Sequence, residues 1–197
     1  MDAATQALRW SGRTDEQVAG SYLAGERAGF DELVRRYSGP IYAFILRMVA
    51  RPEDADDLTQ DVFVQLLKSL PSARPDLPLR PWVYVIARNK CLDHIKRKKA
   101  LNFSGLASAE SDDRVEDRFA DGEPLPDELA ERSDLRELLQ AAISDLPPRY
   151  RTVVALRYSS DLTFAEIGAV LELPENTAKT HFQRAKAMLR ASLAGRL

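Results

Sequence analysis

The 197-residue sequence contains one cysteine, Cys91, and two histidines, and both scarcities exclude classes of protein. A single thiol forms no intrachain disulfide and builds no cysteine-rich zinc site. A chain with a single cysteine suits a reducing compartment, so we predict a cytoplasmic location. We expect Cys91 to be a packed thiol, because no histidine and acid arrangement would make it a nucleophile.

Long apolar runs are also missing. The longest uninterrupted ones, such as 41–46 and 82–87, fall far below the ~20 residues of a membrane-spanning helix. The first ten residues lack a basic start followed by an apolar run, so we predict no signal peptide. Since no nucleophile, metal-ligand or phosphate-loop motif is present, we predict a protein without enzymatic activity, cofactor or metal.

The chain lacks a net positive charge, which at face value argues against a nucleic-acid partner. Lys and Arg total 28 against 30 acids, a net charge of −2. The charges are segregated, however. The window 110–137 contains twelve acids and four arginines, a net charge of −8, which leaves +6 for the rest of the chain. Basic blocks at 88–99 and beyond residue 147 flank this window. The distribution of charge along the chain is therefore a better guide to binding partners than the net charge.

Helical periodicity dominates, and no run of alternating polar and apolar residues predicts a strand. We therefore predict an all-α protein of two small helical domains joined by a flexible acidic linker. The predicted boundaries are 1–99 for the first domain, 100–130 for the linker and 131–197 for the second domain. The linker is rich in Ser, Asp, Glu and Gly, and it has too little apolar surface to offset the entropy of ordering.

Capping and proline patterns divide the first domain. Thr14 and Gln17 form a capping box for a short helix. An apolar face over residues 30–37 predicts a second helix, and each of three prolines suits the first position of a further one: Pro40, Pro52 and Pro81. The helix after Pro52 places apolar residues at core spacing: Ala55, Leu58, Val62, Phe63, Leu66, Leu67 and Leu70. Four prolines between residues 71 and 81 predict a constrained loop.

The clearest local motif begins at Thr163, which forms a second capping box with Glu166. Leu162 and Ile167 occupy the two positions of a hydrophobic staple across it. A short helix over 164–171, a tight turn and a longer basic helix from about 175 to 194 are the layout of a DNA-reading helix-turn-helix. The alternative is a plain helical hairpin with a solvated basic face.

The second helix of this motif would enter the major groove with its N-terminal residues. Arg and Lys read guanine edges, Gln pairs with adenine, and Thr donates to phosphate. The candidate DNA contacts are Thr177, Lys179, Thr180, His181, Gln183, Arg184 and Lys186. We expect four residues to face inward, namely Ala178, Phe182, Ala185 and Leu189. Asn176, at the exit of the turn, suits a left-handed backbone.

Three sequence strings together resemble one family. PEDADDLTQDVFVQLLKSL from residue 52, PWVYVIARNKCLDHIKRKK from residue 81 and TFAEIGAVLELPENTAKTHFQRAKAML from residue 163 resemble bacterial sigma factors of the extracytoplasmic-function (ECF) group of the sigma-70 family. The resemblance covers about 30–193, with the blocks in the family's order. It implies a promoter-specificity subunit made of sigma domain 2 and sigma domain 4.

The resemblance implies three partners: core RNA polymerase through its clamp helices and flap, promoter DNA, and an anti-sigma factor. It assigns polymerase docking to Asp56, Asp57, Gln60, Asp61 and Phe63. An acidic, partly apolar helix suits a basic partner groove, in which charges set orientation and apolar anchors supply affinity. The alternative is a solvated acidic face over a core, and we expect Phe63 to be partly structural.

The resemblance also assigns the loop over 72–80 and the following helix to the single-stranded minus-ten element. The candidate contacts are Trp82, Arg88, Asn89, Lys96, Arg97 and Lys98; cations hold the backbone, and aromatic rings stack on bases. For Trp82 we favour a core position. The helix-turn-helix would read the minus-thirty-five element as duplex, and the acidic linker would thread the polymerase channel later used by RNA.

Two other functions stay open from the sequence. A stand-alone helix-turn-helix regulator would bind duplex DNA without polymerase, but it leaves the acidic string at 54–63 unexplained. A sigma mimic that sequesters an anti-sigma factor is expected to have lost the basic residues of the recognition helix. Here Lys179, Arg184 and Lys186 are present.

Overall fold

The structure is a computed structural model of the chain, and it describes residues 9–72, 78–102 and 133–194. These residues form eight main helices and no strand, which confirms the predicted all-α class. The helices are α1 (Asp15–Leu23), α2 (Ala28–Val49), α3 (Pro52–Ser69), α4 (Leu79–Asn102), α5 (Ser133–Ser144), α6 (Pro148–Ser160), α7 (Phe164–Leu171) and α8 (Glu175–Ala194). None of the described helices is both long enough and apolar enough to cross a membrane.

Parts of two predicted segments lie outside the described residues. All but the start of the predicted linker belongs to the stretch 103–132, and the centre of the predicted proline-rich loop is 73–77. The described ends of that loop are a short 3-10 turn, Leu70–Ser72, and Pro78.

The capping box predicted at Thr14 is present and opens α1. The Thr14 hydroxyl accepts from the Gln17 amide, and the Gln17 side chain accepts from the Thr14 amide. Close packing of α1 on α2 depends on Gly29, where a Cβ atom would stand only 2.8 Å from the Val18 carbonyl oxygen. A side chain at this position would push the two helices apart.

Pro40 does not begin a helix, contrary to the prediction. It lies inside α2, a single helix of 22 residues. A proline inside a helix costs about 3 kcal/mol because one backbone hydrogen bond is lost. The buried stripe at Leu33, Tyr37, Ile41 and Phe44 continues through the proline in register, so burial of one unbroken apolar face offsets that cost.

Two smaller differences concern α3 and α4. Leu67, predicted as a core residue, is exposed, whereas the other predicted apolar residues of α3 are buried together with Leu70. Helix α4 begins at Leu79, so Pro81 occupies its third position rather than its first. The first-turn N–H groups of a helix have no intrahelical acceptor, so proline is tolerated there as well.

The helix-turn-helix forms as predicted from α7 and α8. Thr163 and Glu166 make the capping box, and the staple residues Leu162 and Ile167 are fully buried. The left-handed residue of the turn is Glu172 (φ 57°), the C-cap of α7, whereas Asn176 is already helical in α8. The left-handed residue thus stands at the entrance of the turn, where it ends α7, and not at its exit.

The two groups of helices pack directly against each other. Helix α2 contacts α3 and α4 of the first group and α5 and α6 of the second, and α4 contacts α7. Helix α8 packs on α7, α6 and α5. The hydrophobic core therefore continues from the first group, α1–α4, into the second, α5–α8.

Candidate nucleic-acid interface and docking face

The acidic residues predicted for docking share the exposed side of α3. Asp56, Asp57, Gln60 and Asp61 are all exposed, at helical spacings of one turn. Phe63 is different because only 9% of it is exposed, and it belongs to the core. The burial of Phe63 therefore confirms the expectation that this residue is partly structural.

Two apolar residues continue this exposed side and were missed by the sequence analysis. Val64 is 49% exposed and lies one turn beyond Gln60, and Leu67 is 39% exposed and lies a further turn along. A usable signal was present, since the string VFVQLL holds more apolar residues than one helix face can bury. We call Asp56, Asp57, Gln60, Asp61, Val64 and Leu67 the docking face.

Ion pairs connect α3 to the basic helix α4. The Lys90 ammonium lies 3.5 Å from an Asp61 carboxylate oxygen, and the Lys98 ammonium lies 3.2 Å from Asp54. His94 also faces Asp54, at 3.4 Å. Burial acts to raise the pKa of Asp54, but the hydrogen bond and charge of Lys98 outweigh it, so the pKa is lowered. The acids of α3 thus neutralise part of the basic block of α4.

The residues predicted for the minus-ten element lie along α4. Asn89, Lys96 and Arg97 are exposed, whereas Arg88 and Lys98 are half-buried. Trp82 is also half-buried and packs against the hydrophobic core, in line with the favoured core position.

Cys91 is a packed thiol, as expected. Its side chain is fully buried in α4, and burial raises the pKa of the thiol to about 12. A thiol with such a pKa carries almost no thiolate at neutral pH and is a poor nucleophile. Among the described residues, no group of three or more His, Cys, Asp or Glu side chains is placed to hold a metal ion.

The recognition helix α8 has the predicted inward face, since Ala178, Phe182, Ala185 and Leu189 are buried. Lys179, Thr180 and Gln183 are exposed on its outer side. Thr177, His181, Arg184 and Lys186 are half-buried. The Lys179 ammonium pairs with Glu175 one turn earlier, at 2.8 Å.

His181 has a structural contact that the sequence did not reveal. Its ring stands edge-on to Tyr150 at the start of α6, with ring centroids 5.3 Å apart. Burial lowers the pKa of His181, and the nearby charges of Arg149 and Arg184 lower it further. This shift favours the neutral form of the imidazole. Arg149, exposed at the start of α6, is a basic residue beside the recognition helix that the sequence analysis did not single out.

Lys186 lies over an aromatic cluster. Its ammonium is 5.5 Å from the ring centroid of Phe182, which packs against Phe164 and Tyr158. Such an arrangement holds a lysine side chain by cation–π attraction while its charge stays near the surface. Tyr158 is the exposed member of this cluster.

Two family models match the chain in the order of its two groups of helices. Sigma-70 region 2 matches residues 33–101, and sigma-70 region 4 matches residues 136–189. The fold and the two basic helices thus define a two-domain helical protein with a sigma region 2 and a sigma region 4, which we call domain 2 and domain 4.

Similar proteins identify the family. The ECF RNA polymerase sigma factor SigW of Bacillus subtilis is 31% identical over 171 residues, which are 86% of this chain and 91% of SigW. The RNA polymerase sigma-H factor of Pseudomonas aeruginosa is 30% identical over 186 residues, 91% of this chain and 93% of that protein. The chain belongs to the ECF group of sigma-70 family sigma factors.

Solved structures share the fold. CnrH in complex with the cytosolic domain of CnrY aligns with a TM-score of 0.68 at 23% identity, covering 92% of this chain and 97% of that one. The sigma factor RpoE of Bartonella quintana, solved with the anti-sigma factor NepR, aligns with a TM-score of 0.63 at 20% identity, covering 84% and 96%. At 23% and 20% identity, the similarity to these two structures shows a shared fold and no more.

Proposed function

We propose that this sigma factor binds core RNA polymerase through the docking face and directs initiation at promoters that its two domains read separately. The observation that carries the proposal is the docking face itself, an exposed acidic and apolar surface beside the basic helix α4. Proteins named RNA polymerase sigma factors match nearly the whole chain, which supports the same function.

The docking face has the two components that a protein interface needs. Exposed carboxylates on α3 orient a basic partner, and Val64 and Leu67 supply apolar surface that a partner can desolvate. Phe63 is on the same helix but belongs to the core, so we assign it a structural part and not a direct contact. The clamp helices of the polymerase are the proposed partner of the docking face, and the flap is the proposed partner of domain 4.

Promoter reading is divided between the two domains in this proposal. Domain 2, within 1–99, captures and melts the minus-ten element with α4, where Asn89, Lys96 and Arg97 offer exposed contacts to single-stranded DNA. Domain 4, within 131–197, reads the minus-thirty-five duplex with α8. The segment 100–130 joins them, and its negative charge suits a polymerase channel lined with positive charge.

Arg149 extends the proposed duplex contact. It lies close enough to His181 to lower that residue's pKa, which places a second guanidinium near the N-terminal half of α8. In helix-turn-helix complexes, residues outside the recognition helix hold the DNA backbone. Arg149 therefore joins Thr177, Lys179, Thr180, Gln183, Arg184 and Lys186 as a proposed contact.

Control by an anti-sigma factor is part of the proposal. It is supported by a neighbour in structure, RpoE, which was solved with the anti-sigma factor NepR. The protein would act in the bacterial cytoplasm, where polymerase and promoter DNA meet, and it would contribute no catalytic group of its own.

Run-off transcription tests the proposed function. The purified chain is added to core polymerase on a library of promoters in the absence of any anti-sigma factor. We expect promoter-dependent transcripts that neither component makes alone. Duplex binding without transcripts would instead identify a stand-alone regulator. Anti-sigma binding with neither DNA binding nor transcripts would identify a sigma mimic.

Paired substitutions test the docking face. Asp57→Asn with Gln60→Ala should weaken association with core polymerase by roughly tenfold, a loss typical of removing two interface contacts. Glu53→Gln is the matched control, since Glu53 is an exposed acid on the same helix but outside the docking face. Equal affinities for the two variants, measured by fluorescence anisotropy, would remove the assignment.

A further inference from the structure

Helix α4 begins without a side-chain cap of its own. The residue before its first residue, Leu79, is Pro78, whose side chain contains no hydrogen-bond acceptor. The third residue, Pro81, has no backbone N–H, and the Trp82 amide donates to the Pro78 carbonyl at 3.4 Å, a long hydrogen bond. Because the first N–H groups of a helix lack intrahelical partners, the start of α4 needs acceptors from water or from another element.

Helix α1 supplies one of these acceptors. Glu16 Oε1 accepts from the Leu79 amide at 3.1 Å, although the two residues are 63 positions apart in the chain. The carboxylate therefore lies at the N-terminal end of α4, where the helix dipole favours negative charge. The hydrogen bond from Leu79 is the main reason that the pKa of Glu16 is lowered, although burial acts in the opposite direction. Glu16 thus caps a helix to which it does not belong.

A second carboxylate of α1 faces the next residue of α4. Asp15 Oδ2 lies 3.7 Å from a guanidinium nitrogen of Arg80. The Asp15 carboxylate also accepts from Arg36 at 2.8 Å and from the Tyr37 hydroxyl, both of which belong to α2. Asp15 is therefore fixed on α2 while it pairs with α4. We call Asp15 and Glu16 the α1 acidic turn.

Arg36 also fixes the segment that precedes the α1 acidic turn. Its guanidinium donates to the Arg13 carbonyl and to the Trp10 carbonyl, both at 3.0 Å. Trp10 itself is only 1% exposed, so this segment is anchored in the hydrophobic core. The α1 acidic turn is thus held from both sides by domain 2. Carboxylates held in this way can determine the position of the helix that they contact.

The first turn of α4 is the part of this helix that most needs such support. Further along, α4 is held by core packing, because Val83, Tyr84, Ala87 and Cys91 are buried. The first turn has the exposed residues Pro78 and Arg80 on either side of Leu79. These residues end the loop over 72–80 that is assigned to the minus-ten element, and Trp82, a candidate DNA contact, follows within the same turn.

We infer that Glu16 and Asp15 are positioning residues for the minus-ten contact, because they determine where α4 begins and do not themselves touch DNA. This inference deepens the proposed function and rests on it. Two carboxylates are unsuited to a phosphate contact, since like charges repel. Groups that bind a ligand must be held within roughly 0.5 Å of their productive positions. Loss of the cap on α4 should therefore weaken the discrimination between minus-ten sequences.

Hydrogen exchange tests the capping contact without any partner. The exchange rate of the Leu79 amide is measured by NMR in the parent, in Glu16→Ala and in Glu16→Gln. We expect roughly fivefold faster exchange in Glu16→Ala, which corresponds to the loss of one helix cap, and a smaller change in Glu16→Gln, whose amide oxygen still accepts. Asp31→Ala is the matched control, because Asp31 is an exposed acid in the first turn of α2. Equal rates in the parent and in Glu16→Ala would overturn the capping contact.

Binding of single-stranded DNA tests the positioning role. Polymerase that contains the parent or a variant is titrated with an oligonucleotide carrying the minus-ten sequence selected in the run-off library, and with a scrambled one. The ratio of the two affinities should fall roughly fivefold in Glu16→Ala and recover in Glu16→Gln, and Asp31→Ala should keep the ratio of the parent. The affinity for core polymerase should stay unchanged, because the α1 acidic turn lies outside the docking face. A cap that only stabilises the fold would leave the ratio unchanged below the melting temperature.

The possible failures are distinguishable. A parent that does not discriminate between the two oligonucleotides would overturn the proposed minus-ten reading and the positioning role with it, while the exchange rates still decide the capping contact. A parent and a Glu16→Ala variant that discriminate equally well would overturn the positioning role alone. Should Glu16→Ala fold poorly, Asp15→Asn removes the charge that pairs with Arg80 and keeps an acceptor for Tyr37. It should lower the ratio in the same direction, and an unchanged ratio would exclude Asp15 from the positioning role.

Discussion

The imidazole of His181 stands edge-on to the ring of Tyr150, with an interplanar angle of 87°. This contact fixes the N-terminal half of the recognition helix on the start of α6. It also explains why His181 is half-buried although the sequence predicts it as a DNA contact. We expect an imidazole in this position to affect DNA binding only by holding the neighbouring residues of α8 in place.

The pKa of His181 predicts a pH dependence of stability. Burial, with Arg149 and Arg184, lowers this pKa below its ordinary value of 6.5, so the unfolded chain binds the proton more readily than the folded one. The free energy of unfolding should therefore fall as the pH decreases below about 6.5. His181→Phe keeps the ring contact and should flatten this slope in urea denaturation between pH 5 and 7.5. Equal slopes in parent and variant would contradict the assignment.

Truncation of Phe63 should mainly lower the free energy of unfolding, whereas truncation of Leu67 should mainly weaken polymerase binding. Phe63→Ala empties a core position and should lower the free energy of unfolding by ~3–5 kcal/mol. Leu67→Ser removes an exposed side chain and should leave stability within about 1 kcal/mol, while weakening polymerase association by at least about fivefold. Denaturation and polymerase binding, measured on both variants, check the pair. A Leu67→Ser variant that binds like the parent would exclude Leu67 from the docking face.

The sequence predicts features that depend on residues close together in the chain better than features that depend on tertiary packing. Both capping boxes and the inward face of α8 follow from residues three or four positions apart, and all are present. Pro40 shows the limit, because a local rule ends the helix there and tertiary burial of the continuous stripe overrides it. Leu67 is exposed because α3 has neighbours on only part of its surface, which periodicity alone cannot specify.

The candidate site also has a part that the sequence predicts and surroundings that it does not predict. Residue type and spacing predict the DNA contacts of α8, and the family resemblance predicts the docking residues of α3; both sets stay predictions. The hydrogen bonds between the two groups of helices could not be predicted, because they join Tyr84 to Ser159 and Leu46 to Gln140 across 75 and 94 residues of sequence. Neither the Tyr84 hydroxyl nor the Gln140 amide belongs to a local motif. Such partners are chosen by the packing of one domain on the other.

Glu32 should make domain 2 sensitive to acid. Its carboxylate is 4% exposed and accepts two hydrogen bonds from Arg35 at 2.7 Å and one from Arg36 at 2.8 Å, which lower its pKa from 4.5 to about 2. The stabilisation is present above pH 4.5 and is lost as the pH falls toward 2. Glu32→Gln should cost ~2 kcal/mol at pH 7, and this difference from the parent should shrink in acid, as followed by denaturation. A pH-independent difference would show that the carboxylate charge is not the cause.

Gly168 should be intolerant of any side chain. A Cβ atom there would stand 2.6 Å from the Leu173 carbonyl oxygen, in the turn between α7 and α8. Gly168→Ala should therefore lower stability by ~1–3 kcal/mol and weaken duplex binding, because the turn that aims α8 must shift. Gly20→Ala is the control, since a Cβ there meets nothing within 4 Å and alanine favours the helix; it should stabilise by ~0.5–1 kcal/mol. Equal melting of the two variants would contradict the close approach.

Arg184 should read a base rather than merely supply charge. It lies in the N-terminal half of α8, close enough to His181 to act on its pKa, whereas Arg190 lies nearer the C-terminal end of the same helix. Arg184→Ala should cost ~1–3 kcal/mol at promoters with the preferred upstream element and little on a scrambled one. Arg190→Ala removes the same charge and should weaken both templates equally, if at all. Initiation rates measured on both templates separate the two cases, and a uniform loss for Arg184→Ala would assign it to phosphate contact.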